Sequence, residues 1–177
     1  MYPGSAEEAR ALLVALGAPQ RLLQHVALVG EAAEGLIALL GSLGVTVDAD
    51  LVRAGVVLHD CGKVRHPREL DAPGSAHEPE GEGMLLERGV SARLSRVCMT
   101  HARWDVMEVE LEDLVIALAD KLWKGVRKAA LEERVVQEVA ARTGADRWAL
   151  FIALDGGFEA IAASGDERLA RSQLADG

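Results

Sequence analysis

The sequence predicts an all-α fold, a single compact bundle of many helices. Half of the 177 residues are hydrophobic but only 3% are aromatic, so the core must consist mainly of Leu, Val, Ala and Ile. Such a core suits close helix packing better than a sandwich or a barrel. Helix-start signals and apolar residues at helical spacing recur along most of the chain. No internal repeat or linker divides it, so we expect residues 1–177 to form one domain.

Two helices are predicted near the start of the chain. Ser5, with Glu8 three residues later, forms a capping-box signal for a first helix that ends near Gly17. Pro19 suits the first position of a second helix, because its fixed φ matches the first turn and its missing N–H would be unpaired there anyway. This second helix should end around Gly44.

A third helix is predicted to carry the pair His59-Asp60 in its last turn, with Asp48 or Asp50 as its N-cap. Adjacent helical residues point about 100° apart, so a ligand of both must lie between their two directions or where the helix loosens. The segment 64–79 is rich in Pro, Gly and charged residues, which predicts a loop.

The second half of the chain is predicted to be helical as well. Gly156-Gly157 is a candidate break within one of these helices. The predicted ranges are 80–87, 91–101, 110–127, 131–141, 147–163 and 167–174.

The most informative feature is His59-Asp60, which places two polar ligands at the end of the apolar run Val56-Val57-Leu58. An imidazole and a carboxylate are costly to bury unless they are hydrogen-bonded, paired or bound to a metal. Together they form a mixed nitrogen and oxygen set that suits a divalent ion. A buried hydrogen-bonded pair at a helix end is the alternative interpretation of the pair taken by itself.

Four further polar residues, in a fixed order along the chain, favour the interpretation of the pair as metal ligands. His25 and Asp120 each lie inside a helical apolar pattern, and His77 and His101 lie between them in sequence. The ordered set of His, His-Asp, His, His and Asp resembles the extended form of the HD superfamily of metal-dependent phosphohydrolases. The resemblance covers about 21–127, and the remaining C-terminal helices should pack on this HD-type bundle.

The resemblance implies a metal site with two divalent ions. One ion would be held by His25, His59, Asp60 and Asp120. Asp60 would bridge to a second ion, held also by His77 and His101. Iron or manganese is preferred, while cobalt, nickel and zinc stay open because His and Asp ligands accept each of them.

The same resemblance implies hydrolysis of a small phosphate ester, a nucleotide or a dinucleotide, by attack of metal-activated water at phosphorus. Asp60 and Lys63 are the candidate catalytic residues. Lys63 and Arg103 are the candidate phosphate contacts, against the alternatives of a solvated lysine near a helix end and a surface charge. Glu78 is the nearest carboxylate in sequence to His77 and is a candidate to orient its ring.

Departures from the known branches of the superfamily leave the substrate open. The branch that cleaves cyclic dinucleotides has a paired histidine and a Gly-Tyr-Pro signature where this chain has Ala102-Arg103-Trp104 after the fourth histidine. The branch that splits diadenosine tetraphosphate shares the size, the ordered ligands and an Ala-Asp-Lys segment. It continues with Glu-Pro and an Arg, where this chain has Trp123-Lys124.

Two other functions remain open at this point. Some HD-fold proteins with the same six ligands bind two irons and use dioxygen to cleave C–C or C–P bonds, so the chain could be a di-iron oxygenase. The other alternative is a non-catalytic nucleotide-sensing domain that retains the metal for folding. Oxygen consumption and hydrolase activity would separate the three.

Charge and composition restrict the partners. The net charge of −9 argues against long nucleic acid, while a small phosphorylated substrate needs only local positive charge. The apolar run 35–43 is too short to span a membrane, and a secretory pattern is missing, so we expect a cytoplasmic protein with reduced Cys61 and Cys98. A second copy of the chain stays open as a partner.

Overall fold

The computed structural model describes residues 2–174 and is all-α throughout that range, without a β-strand, which confirms the predicted fold class. Two short 3-10 helices, Cys61–Val64 and Pro67–Leu70, interrupt the series of α-helices. The α-helices are α1 Ala6–Ala15, α2 Gln20–Ser42, α3 Ala49–Leu58, α4 His77–Glu87, α5 Ala92–Ser95, α6 Val97–Arg103, α7 Leu111–Leu122, α8 Ala129–Thr143, α9 Arg147–Ala162 and α10 Gly165–Gln173.

Helices α2 and α7 form the centre of the bundle. They pack on each other, and α3, α6, α8, α9 and α10 pack around them. The buried hydrophobic side chains form one continuous core. By length and composition α2 would be able to cross a membrane. In the structure one side of it is buried against its neighbours, so it is a core helix of the bundle.

The predicted caps fix the starts of two helices. The Ser5 side chain accepts a hydrogen bond from the Glu8 backbone N–H at the start of α1. Asp48, rather than Asp50, caps α3 and accepts from the Leu51 N–H. Each bond satisfies a backbone donor that has no partner within the helix.

Helix α7 ends at Leu122, five residues before its predicted end. The chain reverses at Gly125, whose φ of +77° is a left-handed conformation that favours glycine. Arg168, a buried side chain of α10, donates to the carbonyls of Leu122 and Trp123. The Leu122 carbonyl also accepts from the Gly125 N–H at 3.0 Å, so the arginine reinforces a helix end that local backbone bonds already close.

Helix α4 starts at His77, earlier than its predicted start at residue 80. The Glu69 carboxylate accepts from the backbone N–H groups of Ala76 and His77, both at 3.1 Å, and so caps the helix. Pro79 then lies in the first turn, where its missing N–H breaks no helical hydrogen bond. Glu69 lies in the predicted loop, so this loop supplies the cap of the helix that follows it.

Two smaller differences concern the remaining helices. The predicted helix 91–101 is divided into α5 and α6 at Arg96, which keeps a nearly helical backbone with φ −64° and ψ −13°. Helix α9 passes through Gly156 and Gly157 without a break. A Cβ atom at Gly157 would overlap the side chain of Leu39, so this glycine permits close packing of α9 on α2.

Candidate metal centre

The six residues predicted as metal ligands meet in one buried cluster, although 95 positions separate the first from the last. They lie on five different parts of the fold. His25 lies on α2, His101 on α6 and Asp120 on α7, while His77 opens α4. The His59-Asp60 pair lies directly after α3.

The chain loosens at His59-Asp60, as the geometry of a helix requires if both side chains face one site. Helix α3 ends at Leu58, and Asp60 leaves helical geometry with φ −106° and ψ 12° before the first 3-10 helix begins. Gly62, two positions after Asp60, allows a close contact between backbones. A Cβ atom there would overlap the His77 carbonyl oxygen, so Gly62 allows the 3-10 helix to touch α4.

Asp60 lies at the centre of the cluster and directs its two oxygens to different histidine pairs. Its Oδ2 is 3.3 Å from His25 Nε2 and 3.5 Å from His59 Nε2. Its Oδ1 is 3.1 Å from His77 Nε2 and 3.5 Å from His101 Nε2. One carboxylate thus contacts both halves of the ligand set.

Asp120 joins the half that contains His25 and His59. Its Oδ1 lies 3.6 Å from His25 Nε2 and 3.4 Å from His59 Nε2. Its Oδ2 accepts a hydrogen bond from Lys121 at 2.9 Å. The two carboxylates and two imidazoles in this half are the four residues assigned to the first ion by the sequence.

The outer nitrogens of three histidines are fixed by hydrogen bonds that direct Nε2 inward. His59 Nδ1 lies 2.7 Å from the Val56 carbonyl, and His101 Nδ1 lies 3.0 Å from the Val97 carbonyl. His77 Nδ1 bonds the carboxylate of Glu69. Partners of this kind hold a ligating imidazole in orientation and set which nitrogen faces the metal.

The inner nitrogens provide the test of whether a metal fits. The Nε2 atoms of His25, His59 and His77 are buried and lie near the oxygens of Asp60 and Asp120, but none of them is in hydrogen-bond geometry with a partner within residues 2–174. Buried polar atoms without partners are rare and costly in folded proteins. Two sets of three residues, His25, His59, Asp120 and His59, Asp60, His101, each hold ligand atoms within 4.8 Å of one another. The clusters are therefore compatible with divalent metal binding.

The electrostatics of the cluster favour ionised carboxylates. Burial opposes the charge of Asp60, but His59, His25 and His77 outweigh it and hold the pKa of Asp60 well below its usual value. The pKa of Asp120 is lowered in the same way, against burial, by His59 and Lys121. Burial and the neighbouring His59 lower the pKa of His101 to about 4. At neutral pH the carboxylates are thus anions and His101 is neutral, the forms that bind metal.

The two predicted phosphate contacts have different surroundings. Lys63 Nζ donates to Asp60 Oδ2 at 2.7 Å, and Lys63 lines a cavity that opens on Asp60. Arg103 donates to Glu78 at 2.6 Å, and its side chain is 40% exposed. The structure thus brings Lys63 into the cluster and leaves Arg103 at its edge.

Sequence reasoning overlooked Glu69 and misassigned Glu78. The carboxylate that orients the His77 ring belongs to Glu69, eight positions upstream, whereas Glu78 is turned to Arg103. Neighbouring residues on a helix point in different directions, which is why Glu78 does not reach the ring next to it. No local pattern marks Glu69, since it lies in a polar segment with the composition of a loop.

The two cysteines lie beside the cluster and are free, as expected from the sequence. Their Sγ atoms are 3.8 Å apart, and both side chains are buried. Cys61 follows Asp60 directly, and Cys98 lies one helical turn before His101.

The HD-domain family pattern matches residues 22–123, more than half of the chain. This range contains all six residues of the cluster. An uncharacterized protein of Methanocaldococcus jannaschii, MJ0778, is 26% identical over 140 residues, which are 71% of this chain and 79% of that protein. No solved structure matches the chain significantly. The all-α fold, the converging His and Asp residues and the family match agree, and the chain belongs to the HD-domain superfamily of metal-dependent phosphohydrolases.

Proposed function

We propose that the protein is a phosphohydrolase with two divalent ions that acts on a small phosphate ester, namely a nucleotide or a dinucleotide. The observation that carries the proposal is the position of Asp60, whose two oxygens contact two separate histidine pairs. A carboxylate between two nitrogen pairs suits a bridge between two ions.

In this proposal His25, His59, Asp60 and Asp120 hold one ion. His77 and His101 hold the other and share Asp60. When bound, such ions act as Lewis acids that make water a nucleophile at neutral pH and neutralise phosphate oxygens. The histidines are already directed inward by their Nδ1 partners, so little reorganisation is needed for binding.

Lys63 provides the chain's own charge for the reaction. In the structure its ammonium group donates to Asp60. Once a cation occupies that carboxylate oxygen, the ammonium group is free to donate to a phosphoryl oxygen instead. A donor directed at developing negative charge stabilises the transition state more than the ground state.

The cavity beside Lys63 supports a small phosphorylated substrate. It has a volume of about 360 Å³, within the range of small-molecule sites. Arg21, Lys63 and Lys124 supply positive charge at its lining, and Trp123 and Leu70 supply apolar surface. This local charge in a chain of net charge −9 matches a compact anion rather than long nucleic acid.

A second cavity favours a dinucleotide over a mononucleotide. It has a volume of about 620 Å³ and touches the cluster at His101. Lys121, Lys128 and Arg134 line it, so it too can receive an anion. Cavities on both sides of the ligand cluster suit a substrate with two substituents on a phosphate chain.

We further propose that the protein works in the cytoplasm and binds neither membranes nor long nucleic acid. The net negative charge of the chain supports the proposal that it does not bind long nucleic acid. The packing of α2 inside the bundle supports the proposal that it does not bind membranes, because one side of this apolar helix is buried by protein.

The proposal is tested by metal analysis and a substrate screen. Protein purified without added ions is analysed for metals and then assayed on mononucleotides and dinucleoside polyphosphates with iron, manganese, cobalt, nickel or zinc. We expect two ions per chain and metal-dependent phosphate release, with faster turnover of the dinucleotides. Asp60→Ala should lose both ions and activity, because it removes the shared ligand.

Three outcomes would contradict the proposal. Full metal content and activity in Asp60→Ala would exclude the bridge. Dioxygen consumption without phosphate release would identify the di-iron oxygenase alternative. A loaded protein that binds nucleotides without turning any over would identify the sensing domain.

A further inference from the structure

Two lysines donate to the two carboxylates of the cluster, but the oxygens that they bond have different surroundings. Lys63 bonds Asp60 Oδ2, and this oxygen also faces two of the histidines. Lys121 bonds Asp120 Oδ2 at 2.9 Å, whereas Asp120 Oδ1 is the oxygen closest to the same two histidines. The two oxygens of Asp120 are thus divided between the lysine on one side and the histidines on the other.

The position of Asp120 Oδ1 suits an ion that is held by one oxygen of this carboxylate. Ligand atoms of His25, His59 and Asp120 lie within 4.8 Å of one another. Oδ1 is 3.6 Å from His25 Nε2 and 3.4 Å from His59 Nε2. An ion among these atoms reaches Oδ1 without displacing the ammonium group from Oδ2, so the bond of Lys121 is compatible with a loaded site.

Lys121 bonds the buried carboxylate although other carboxylates border the same cavity. Asp105 and Glu133 line the larger cavity together with Lys121. Within the described residues the hydrogen bond of Lys121 goes to Asp120, which is 9% exposed. A charged hydrogen bond to a buried carboxylate is stronger than one at the surface, because water screens it less. The bond therefore restrains the orientation of the Asp120 carboxylate.

A restraint at Oδ2 matters because a carboxylate can bind a metal with one oxygen or with both. Binding through both oxygens fills a further coordination position of the ion. Catalytic metal sites keep one position open for water or substrate. A donor that occupies Oδ2 therefore prevents Asp120 from filling the position that the reaction needs.

We propose that Lys121 is a positioning residue, which holds Asp120 as a one-oxygen ligand and so keeps a coordination position of the first ion open. The inference rests on the proposed function, because it requires the first ion. It gives Lys121 a role different from that of Lys63, which in the proposed function donates to the phosphoryl group. Lys121 acts through Asp120 and needs no contact with the substrate for this role.

The test is a cobalt(II) titration of the whole chain after chelator treatment, followed by visible absorption spectroscopy without substrate. Cobalt(II) absorbs visible light more weakly as its coordination number rises. We expect Lys121→Met to weaken the absorption per bound ion, because the released Oδ2 becomes a further ligand. Its cobalt affinity should rise about tenfold, since the substitution also removes a positive charge near the ion. Lys121→Arg retains a charged donor and should restore the wild-type spectrum.

The matched control is Arg88→Met, which removes a positive charge at an exposed arginine that lines neither cavity beside the cluster. Its spectrum and its cobalt affinity should equal those of the wild-type protein. Turnover of the best phosphate ester gives a second readout. Lys121→Met should lower kcat about tenfold or more, because the position for water is filled, and Lys121→Arg should restore it.

A wild-type cobalt spectrum in Lys121→Met would overturn the inference, because Asp120 would then bind the ion in the same way without the lysine. Weaker cobalt binding in this variant would overturn it as well, since Lys121 would then support the site without restricting Asp120. A wild-type protein that binds no cobalt would overturn the inference together with the proposed function. The spectrum is recorded without substrate, so a protein that binds cobalt but hydrolyses no phosphate ester still tests the role of Lys121.

Discussion

Asp60 illustrates how one side chain can organise a site. It is 2% exposed and contacts four imidazoles and an ammonium group, so both of its carboxylate oxygens have polar neighbours. A buried carboxylate with this environment stays ionised, as the lowered pKa of Asp60 indicates.

Lys63→Ala is expected to lower kcat/KM by roughly 10- to 1000-fold, about 1.4–4 kcal/mol, with metal content unchanged. The reason is that the ammonium group would stabilise the negative charge on the phosphoryl oxygens in the transition state and is not itself a metal ligand. Steady-state kinetics on the best phosphate ester, together with metal analysis, measure both quantities. Arg88→Ala, at an exposed arginine that lines neither cavity, is the control. Wild-type turnover by Lys63→Ala would show that Lys63 only pairs with Asp60.

Glu69→Ala is expected to weaken the affinity for the second ion by about 10- to 100-fold, the usual effect of removing a partner that orients a ligating histidine. The Glu69 carboxylate bonds His77 Nδ1 and caps α4, so its loss frees the ring. Metal titration followed by calorimetry measures the affinity. Glu78→Ala is the matched control, because Glu78 adjoins His77 in sequence but pairs with Arg103. Equal effects of the two substitutions would contradict the assigned role of Glu69.

At the residue scale, the sequence predicted the members of the cluster but not the groups that orient them. The ordered histidines and aspartates form a pattern that can be read along the chain, and the structure brings all six together. The Val56 and Val97 carbonyls lie three and four positions before the histidines they orient, whereas the Glu69 carboxylate acts from a separate element. Backbone carbonyls carry no sequence signal, and Glu69 reaches His77 only because the second 3-10 helix folds back.

The contact between the first 3-10 helix and α4 places the two halves of the ligand set next to each other. Gly62 and Gly81 lie at this contact, and a Cβ atom at Gly81 would be 3.0 Å from Gly62 N. The same contact brings His77 within 3.1 Å of Asp60. The distance between the proposed ion sites therefore depends on two positions without side chains.

Gly62→Ala is expected to destabilise the metal-free protein by about 1–3 kcal/mol or more, the range for overpacking a rigid interior. The new methyl group would overlap the His77 carbonyl oxygen and lie 2.7 Å from Gly81 N, and backbone cannot move aside cheaply. Urea denaturation measures the loss. Gly83→Ala in α4 is the control, since a Cβ atom there meets nothing within 4 Å and alanine favours a helix. Unchanged stability in Gly62→Ala would mean that the two elements are not tightly packed.

At the element scale, the ends of helices could be predicted where a local signal sets them and less well where residues distant in sequence contact them. Ser5 and Asp48 cap their helices through neighbouring N–H groups, so sequence located these starts. The end of α7 is reinforced by Arg168, 46 positions beyond Leu122, and the start of α4 depends on Glu69. Such ends depend on contacts that exist only after the chain has folded.

At the scale of the whole molecule, the chain is acidic, but basic side chains line both cavities beside the buried cluster. The net charge is −9, while Arg21, Lys63 and Lys124 face one cavity and Lys121, Lys128 and Arg134 face the other. In the proposed function an anionic ligand would be attracted at short range only, because charges farther than about 8 Å are largely screened at physiological salt. Such an arrangement would favour small anions over extended ones.

Metal removal is expected to lower the melting temperature of the whole bundle, because the ligands come from α2, α3, α4, α6 and α7 and exist as a set only in the folded chain. An ion present at about 100 times its dissociation constant stabilises the native state by about 2.7 kcal/mol. For a chain of this size that corresponds to a shift of roughly 5–10 °C. Scanning calorimetry of wild-type protein with chelator and with restored metal measures the shift.

Asp60→Asn is the control, since one amide oxygen cannot bridge two cations, and its shift should be much smaller. Identical melting temperatures of the wild-type protein with and without metal would mean that no ion binds the cluster, and the buried Nε2 atoms of His25, His59 and His77 would then need another partner.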